Sequence, residues 1–540
     1  MPTYIRRSLR LLVVCLTSTL CAAASAYNAR PKLIVIIVID QFRGDYLERY
    51  HDQFMEGGLR MLMERGAYFT ECYYDYANTR TAPGHATLGT GAYTNGHGIG
   101  LNDWWSSKKD GDGMVTSVYD ESTKMVGPDA GAVGASPRNL LASTLADELR
   151  LATQGRSRTF GISLKDRGAI LPVGYSANGV YWIQKNAGDW QTSTYYMSAL
   201  PAWVAEFNKA DRAEKYWNLD WKDASGKVIG STKHQDGPTG PLGFYDVVGE
   251  TPFSTDYELE FARELVTREK LGQGETTDLL VVSLSAFDIL GHRAGPDSPE
   301  RKEMALATDR QLADFFGFLG RQVGLANLWI ALSADHGIVP LPADAKRLHI
   351  PGYGFDEGLM FGPVNVFLAK KFNKPINQYV ASINWPYMFL NRELLGNIKE
   401  EDAEKAVGEY LMTQKGVRGF YTRAQLARGD VRNDEYGRMY LHSFIPKSEW
   451  YTMAVPDTFA TDTLEGVDHL TPYSYDTHVP LLFYGLPFQP GVYRTHAEPV
   501  DLAVTLASLL GVNKPSHAVG RVLTEAIKET PRESGKKEQQ

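Results

Sequence analysis

Residues 33–39 read Leu-Ile-Val-Ile-Ile-Val-Ile, an unbroken apolar and mostly β-branched run that ends on Asp40. A strand with one wet face alternates apolar and polar residues, so a continuous run marks a strand buried on both faces. That arrangement belongs to parallel sheets covered by helices. Shorter runs of the same kind occur at 278–284, 328–332 and 479–484. Helical periodicity predicts amphipathic helices at 58–65, 140–153, 298–323, 400–413 and 499–510. Strands alternating with helices define an α/β fold, with a central, mostly parallel sheet flanked by helices.

The chain of 540 residues is 43% hydrophobic and 22% charged, a globular composition that excludes fibrous and disordered classes. Its length suits one large α/β domain carrying insertions. Two stretches fit the alternation poorly. Residues 174–270 are rich in Trp, Tyr, Gly and Lys, and residues 340–470 hold short strands, a helix and many turn signals. Both are read as insertions that cap one edge of a single domain spanning 27–527. The tail at 528–540 is polar and predicted to be disordered. No internal repeat is found.

The first 26 residues form a signal pattern. Arg6, Arg7 and Arg10 precede the apolar run Leu11 to Leu20, which passes into Ala24-Ser25-Ala26, so cleavage is predicted before Tyr27. The apolar run is shorter than the roughly 20 residues that a membrane span requires. Losing residues 1–26 removes three Arg and no acids, which turns a net charge of −8 into −11. A surface of that sign disfavours nucleic-acid polymers as partners. Two of the three Cys leave with the signal, so the mature chain keeps Cys72 and no internal disulfide. The expected product is a soluble monomer, periplasmic or secreted.

Common catalytic motifs (the Gly-x-Ser-x-Gly elbow, the P-loop, Cys-x-x-Cys) are missing. Acids and histidines instead cluster where predicted strands end. Asp40 closes the first strand, Asp288 and His292 follow the strand at 278–284, and Asp335-His336 follows the strand at 328–332. His478 stands just before the strand at 479–484 and can reach the same rim from a loop. Ligands of parallel sheets bind outside the carboxyl ends of the strands. Three carboxylates and three imidazoles there form a natural set for two divalent metals. Nitrogen and oxygen donors without thiolate suit catalytic Zn, with Mn, Fe and Co also open. A second Asp-His dipeptide, Asp468-His469, carries no weight by itself. Thr81, in Arg80-Thr81-Ala82-Pro83-Gly84-His85, falls at the start of a short helix. There it is either a plain cap or a hydroxyl nucleophile beside an anion-binding helix end.

The motifs resemble the alkaline phosphatase superfamily. Arg80-Thr81-x-Pro83-x-His85, Asn95-Gly96-His97-Gly98-Ile99, Asp288-x-x-Gly291-His292, Asp335-His336-Gly337 and Thr477-His478-Val479-Pro480 carry the resemblance, which runs from about residue 32 to 525. Within the superfamily the chain is similar to the nucleotide pyrophosphatase/phosphodiesterase-related branch. The resemblance implies an alkaline-phosphatase-like sandwich with two Zn2+. One ion would be held by Asp288, His292 and His478, the other by Asp40, Asp335 and His336. Thr81 faces both as nucleophile. Asn102 in Leu101-Asn102-Asp103, and Lys165-Asp166-Arg167, match the phosphate-irrepressible periplasmic alkaline phosphatases (the PafA type). That match assigns Asn102, Lys165 and Arg167 to the phosphoryl oxygens.

The activity so implied is hydrolysis of small phosphate monoesters through a phosphothreonine. The alternative is a nucleotide phosphodiesterase or pyrophosphatase using the same metals, with the Trp- and Tyr-rich stretch at 174–270 stacking a base. A non-enzymatic metal-binding scaffold is disfavoured because every ligand position is filled. Superfamily sulfatases need a modified Cys before Pro or Ala and Arg, and Cys72 lies in Glu-Cys-Tyr-Tyr-Asp.

Overall fold

All seven residues of Leu33–Ile39 (β1) are buried, and the strand lies in the middle of an 11-stranded sheet. The computed structural model describes residues 30–109, 111, 113–354, 356–463 and 466–528. The signal segment at 1–26 and almost all of the 528–540 tail lie outside these. β1 pairs in parallel with Asp278–Leu284 (β4) on one side and Leu328–Ser333 (β5) on the other, so that Ile37 sits between Val282 and Leu332. Thr159–Ser163 (β2) continues the parallel run beyond β4, followed by Gly179–Ile183 (β3). Leu481–Tyr484 (β6) runs antiparallel on the far side of β5. Ala67–Phe69 and Gly491–Tyr493 extend that edge, and Trp190–Ser193, Tyr119–Val126 and Val133–Ala135 the other.

This topology aims the carboxyl ends of β1, β2, β4 and β5 at one rim. β6, being antiparallel, begins at that rim. The expected α/β sandwich is observed, with helices such as Pro299–Val323 and Val500–Leu510 on the sheet faces.

The two stretches read as capping insertions behave differently. Residues 174–270 are built into the main core. They supply β3 and the strand Trp190–Ser193, whose Trp190 stacks on Phe261 with ring centroids 3.9 Å apart. Residues 340–470 form a second lobe with a four-stranded sheet in the order Val380–Asn384, Tyr387–Leu390, Tyr451–Pro456, Val417–Thr422. It has a hydrophobic cluster of its own, including Trp385, Phe389, Val407 and Met453. Among the described residues, no helix is long and apolar enough to cross a membrane.

One buried acid ties the strand ends together. Glu258, on the helix Pro252–Arg268 (α2 below), is fully buried. Its Oε1 accepts from the Leu164 N–H at 2.9 Å and its Oε2 from the Ser285 N–H at 3.3 Å, just past β2 and β4. Burial raises its carboxyl, against the lowering effect of these N–H groups, to about 8. An unfolded Glu titrates at about 4.3. The folded state therefore keeps a proton that the unfolded chain releases. This contribution to stability is full below about pH 4.3 and declines as the pH rises to about 8. Urea midpoints across this range should fall with pH in the wild type, and less steeply in Glu258→Gln.

Candidate active site

Thr81–Thr90 (α1) is a helix in which every residue is buried. It can lie directly on the rim because Gly84 has no side chain, since a Cβ there would overlap the backbone of Asp335. Thr81 opens the helix, and the Ala82 N–H donates to Asn102 Oδ1 at 2.8 Å. His85, one turn on, donates from Nδ1 to the Thr81 carbonyl at 2.8 Å and lies 3.2 Å from Asp335 Oδ2. Its Nε2 is 2.7 Å from Ser283 Oγ on β4.

Asp288 and His292 are four residues apart on Ala286–Ala294 (α3), which puts them on one helix face, with His292 Nε2 3.2 Å from Asp288 Oδ1. Asp40 and Asp335 are fully buried at the ends of β1 and β5. Donor atoms of Asp40, Asp288 and His336 all lie within 4.8 Å of one another, as do those of Asp288, His292 and His469. Asp335 joins the first group through its Oδ2, 3.5 Å from His336 Nε2.

The imidazoles are oriented in one way. His292 Nδ1 is 2.9 Å from the Val467 carbonyl, His336 Nδ1 2.8 Å from the Gly337 carbonyl, and His469 Nδ1 2.6 Å from the Thr79 carbonyl. A carbonyl only accepts, so each Nδ1 carries a proton and Nε2 is the nitrogen left to ligate a metal; at His292 that nitrogen faces Asp288, which outweighs burial and raises the imidazole to about 9. This is how metal-binding imidazoles are held. His336 Nε2 and Asp40 Oδ1 are buried and make no hydrogen bond within the protein. Unpaired donors and acceptors of this kind, facing each other in a dry site, fit a divalent cation.

The charges agree. Burial, then repulsion from Asp288 and Asp335, pushes the Asp40 carboxyl well above the usual carboxylate range. Lys165 opposes this from 2.6 Å on Asp40 Oδ2 and also contacts Asp288. Burial works to discharge Lys165, but Asp288 and Asp40 outweigh it and keep it protonated. Two of the three carboxylates thus share one ammonium, which leaves the rim in need of further positive charge.

His478 stands apart from this cluster, contrary to the sequence expectation. Its Nε2 donates to the Thr70 carbonyl at 2.8 Å, so the nitrogen needed for a metal is a hydrogen-bond donor. The ring stacks on Tyr73 at 4.7 Å and fills the space beside Gly44. The position beside Asp288 and His292 belongs to His469, on a loop of the second lobe, whose ring stacks on His336 at 3.8 Å. The signal in the sequence was Asp468-His469, a repeat of the Asp335-His336 pair. His97 is structural: burial pushes it down to about 3, and its ring joins Thr87 to the Ile99 N–H. His349 is exposed in the second lobe.

Asn102, Lys165 and Arg167 line one cleft of about 970 Å3, together with Trp182, Lys185 and Gln191. Lys165 faces inward to the carboxylates, and the Arg167 guanidinium lies 3.8 Å from Asp166. The remaining tryptophans of the 174–270 stretch are used in packing. Trp203 lies against Phe261 and Trp217 stacks on His234 at 4.3 Å.

Comparison with known proteins identifies the family. The sequence profile of the type I phosphodiesterase / nucleotide pyrophosphatase family matches residues 34–400. Alkaline phosphatase PhoV of Synechococcus elongatus is 32% identical over 573 residues, covering 96% of this chain and 100% of PhoV. Alkaline phosphatase PafA of Elizabethkingia meningoseptica is 33% identical over 534 residues, covering 92% of this chain and 95% of PafA. A Myroides odoratus protein named a calcium-transporting ATPase is 32% identical, covering 97% of this chain and 100% of that one. The crystal structure of wild-type PafA superposes with a TM-score of 0.81 at 30% identity, covering 92% of this chain and 99% of that one. The chain therefore belongs to the type I phosphodiesterase / nucleotide pyrophosphatase family, where its near full-length relatives include the alkaline phosphatases PafA and PhoV.

Proposed function

We propose that the protein is an exported, zinc-dependent alkaline phosphatase that hydrolyses small phosphate monoesters through a phosphothreonine at Thr81. The observation that carries the reading is the set of three imidazoles, each tied at Nδ1 to a carbonyl, with His292 and His336 turning Nε2 toward Asp288 and toward Asp40 and Asp335, and His469 grouped with Asp288 and His292. Asp288, His292 and His469 would hold one Zn2+, and Asp40, Asp335 and His336 the other, with Thr81 beside them. When bound, the ions would supply Lewis-acid stabilisation of charge on the nucleophile, the leaving group and a phosphoryl oxygen.

The rest of the chemistry belongs to the chain. Thr81 Oγ1 forms a bond to phosphorus as the ester oxygen leaves and takes up a proton. Water then cleaves the phosphothreonine and releases inorganic phosphate. Thr81 is suited to this by its place at the helix start, where free N–H groups and the positive helix end favour an anion. Asn102, accepting from the Ala82 N–H through Oδ1, has its NH2 to donate to a phosphoryl oxygen. Lys165 and Arg167 add two cations at the cleft. A monoester is a dianion whose loose transition state spreads charge over three oxygens, so a dense cationic grip favours it over a diester. Export is supported by the signal pattern at 1–26.

The second reading is a nucleotide phosphodiesterase, favoured by the family profile and by the room in the cleft. The packing of Trp190, Trp203 and Trp217 weakens it, because those rings are not free to stack a base.

Nitrophenyl phosphate should be hydrolysed faster than bis-nitrophenyl phosphate, and a preference for the diester would reverse the ranking. Thr81→Ala should lower turnover roughly a thousandfold or more while keeping the fold; undiminished activity sinks the nucleophile assignment. Elemental analysis separates the two histidines: His469→Ala should lose about one of two zinc ions per chain, and His478→Ala should keep both.

A further inference from the structure

Gln41 follows Asp40 at the end of β1, is fully buried, and has a φ of 64°. Glycine adopts this left-handed backbone freely and Asn tolerates it, but a Gln there is strained. Such residues persist where the surroundings over-determine them, often at functional sites. The turn aims two donors of Gln41 at carboxylates from different elements, Asp335 just past β5 and Asp288 on α3. Its N–H donates to Asp335 Oδ1 at 3.0 Å, and its side-chain Nε2 donates to Asp288 Oδ1 at 2.7 Å. Its carbonyl accepts from Arg301 Nη2 at 3.0 Å, an arginine that is itself fully buried and packed over Phe287.

The space for this arrangement comes from Gly291. A Cβ there would overlap both Gln41 Oε1 and the Arg301 guanidinium. The glycine of Asp288-x-x-Gly291-His292 is thus explained by Gln41, not by any need of α3 itself.

We propose that Gln41 is a positioning residue that locks Asp288 and Asp335, one from each metal group, in fixed relative orientation, so that a single side chain and its N–H set the spacing of the two ions. The inference rests on the two-metal reading above. Asp288 sits at the junction of the two groups and is also contacted by Lys165, so a freely rotating Asp288 would pair with the ammonium or the metals in several ways. The Gln41 carboxamide removes that freedom by taking up one of its oxygens.

Gln41→Gly separates this role from a merely structural one, because it relieves the backbone while deleting the carboxamide. In the full chain, the melting temperature of the metal-free variant should equal or exceed that of the wild type. Its zinc affinity, measured by chelator competition, and its kcat/KM should both fall about 10- to 100-fold. Gln41→Asn tolerates the same φ but is one methylene too short to reach Asp288, and the same losses are expected. It decides the matter if the glycine variant does not fold. Wild-type zinc affinity in either folded variant overturns the inference alone, as does a lower metal-free melting temperature with unchanged zinc affinity. A wild-type chain that holds no zinc overturns the two-metal reading and this inference with it.

Discussion

Three carboxylates from separate elements, Asp40, Asp288 and Asp335, are buried within a few ångströms of one another at one rim of the sheet. Removing even one carboxylate from water costs several kcal/mol unless it is paired, and each neighbour of like charge adds to that cost. The upward push on Asp40 is the direct expression of this conflict. A fold tolerates such a cluster only when its framework is stiff and a cation relieves the repulsion. The stiffness comes from β1, β4 and β5, whose residues are buried and in register along almost their whole length.

The neighbouring features follow from holding those charges in place. The parallel topology brings the strand ends together, and Glu258 fixes the backbone just beyond two of them. Carbonyls at 79, 337 and 467 fix the imidazoles so that each Nε2 faces a carboxylate, Asp288 for His292, Asp40 and Asp335 for His336, and Asp468 for His469. Gly84 admits the helix that starts with Thr81. Each of these uses backbone groups or the absence of a side chain, which act at short range and with little freedom to move.

Much of this was legible in the sequence because it depends on local patterns. Continuous apolar runs identified β1, β4, β5 and β6, and the acids closing the first three could be placed at one rim. What depends on side-chain direction was not legible. His478 and His469 both lie in loops that approach the rim, and both follow an acid within two residues. Only the hydrogen bond from His478 Nε2 to Thr70 and the packing on Tyr73 send one ring away from the carboxylate cluster. Gln41 and Glu258 were invisible for a related reason: single polar residues in apolar or helical surroundings acquire meaning only from partners far along the chain. The tryptophans at 174–270 were misleading as surface features, since composition cannot tell a ring that awaits a ligand from one already packed.

The position of His469 changes what the second lobe is for. Read from periodicity, residues 340–470 are an addition to a complete catalytic core; in the structure the lobe supplies His469 to the candidate metal group of Asp288 and His292. The lobe also grips Arg80, the residue before Thr81, and reaches the residue after it indirectly through Asp103 and Asn102. Arg80 donates to Asn384 Oδ1 at 2.5 Å and approaches Asp468 at 3.8 Å, while Asn384 Nδ2 donates to the Asp103 carbonyl at 2.7 Å. Asp103 is adjacent to Asn102, which accepts from the Ala82 N–H. The proposed nucleophile is therefore bracketed on each side by contacts that run through one lobe residue, Asn384. The same lobe carries His469, the imidazole of the proposed metal group, so the proposed ligand and the start of α1 both depend on residues of the lobe.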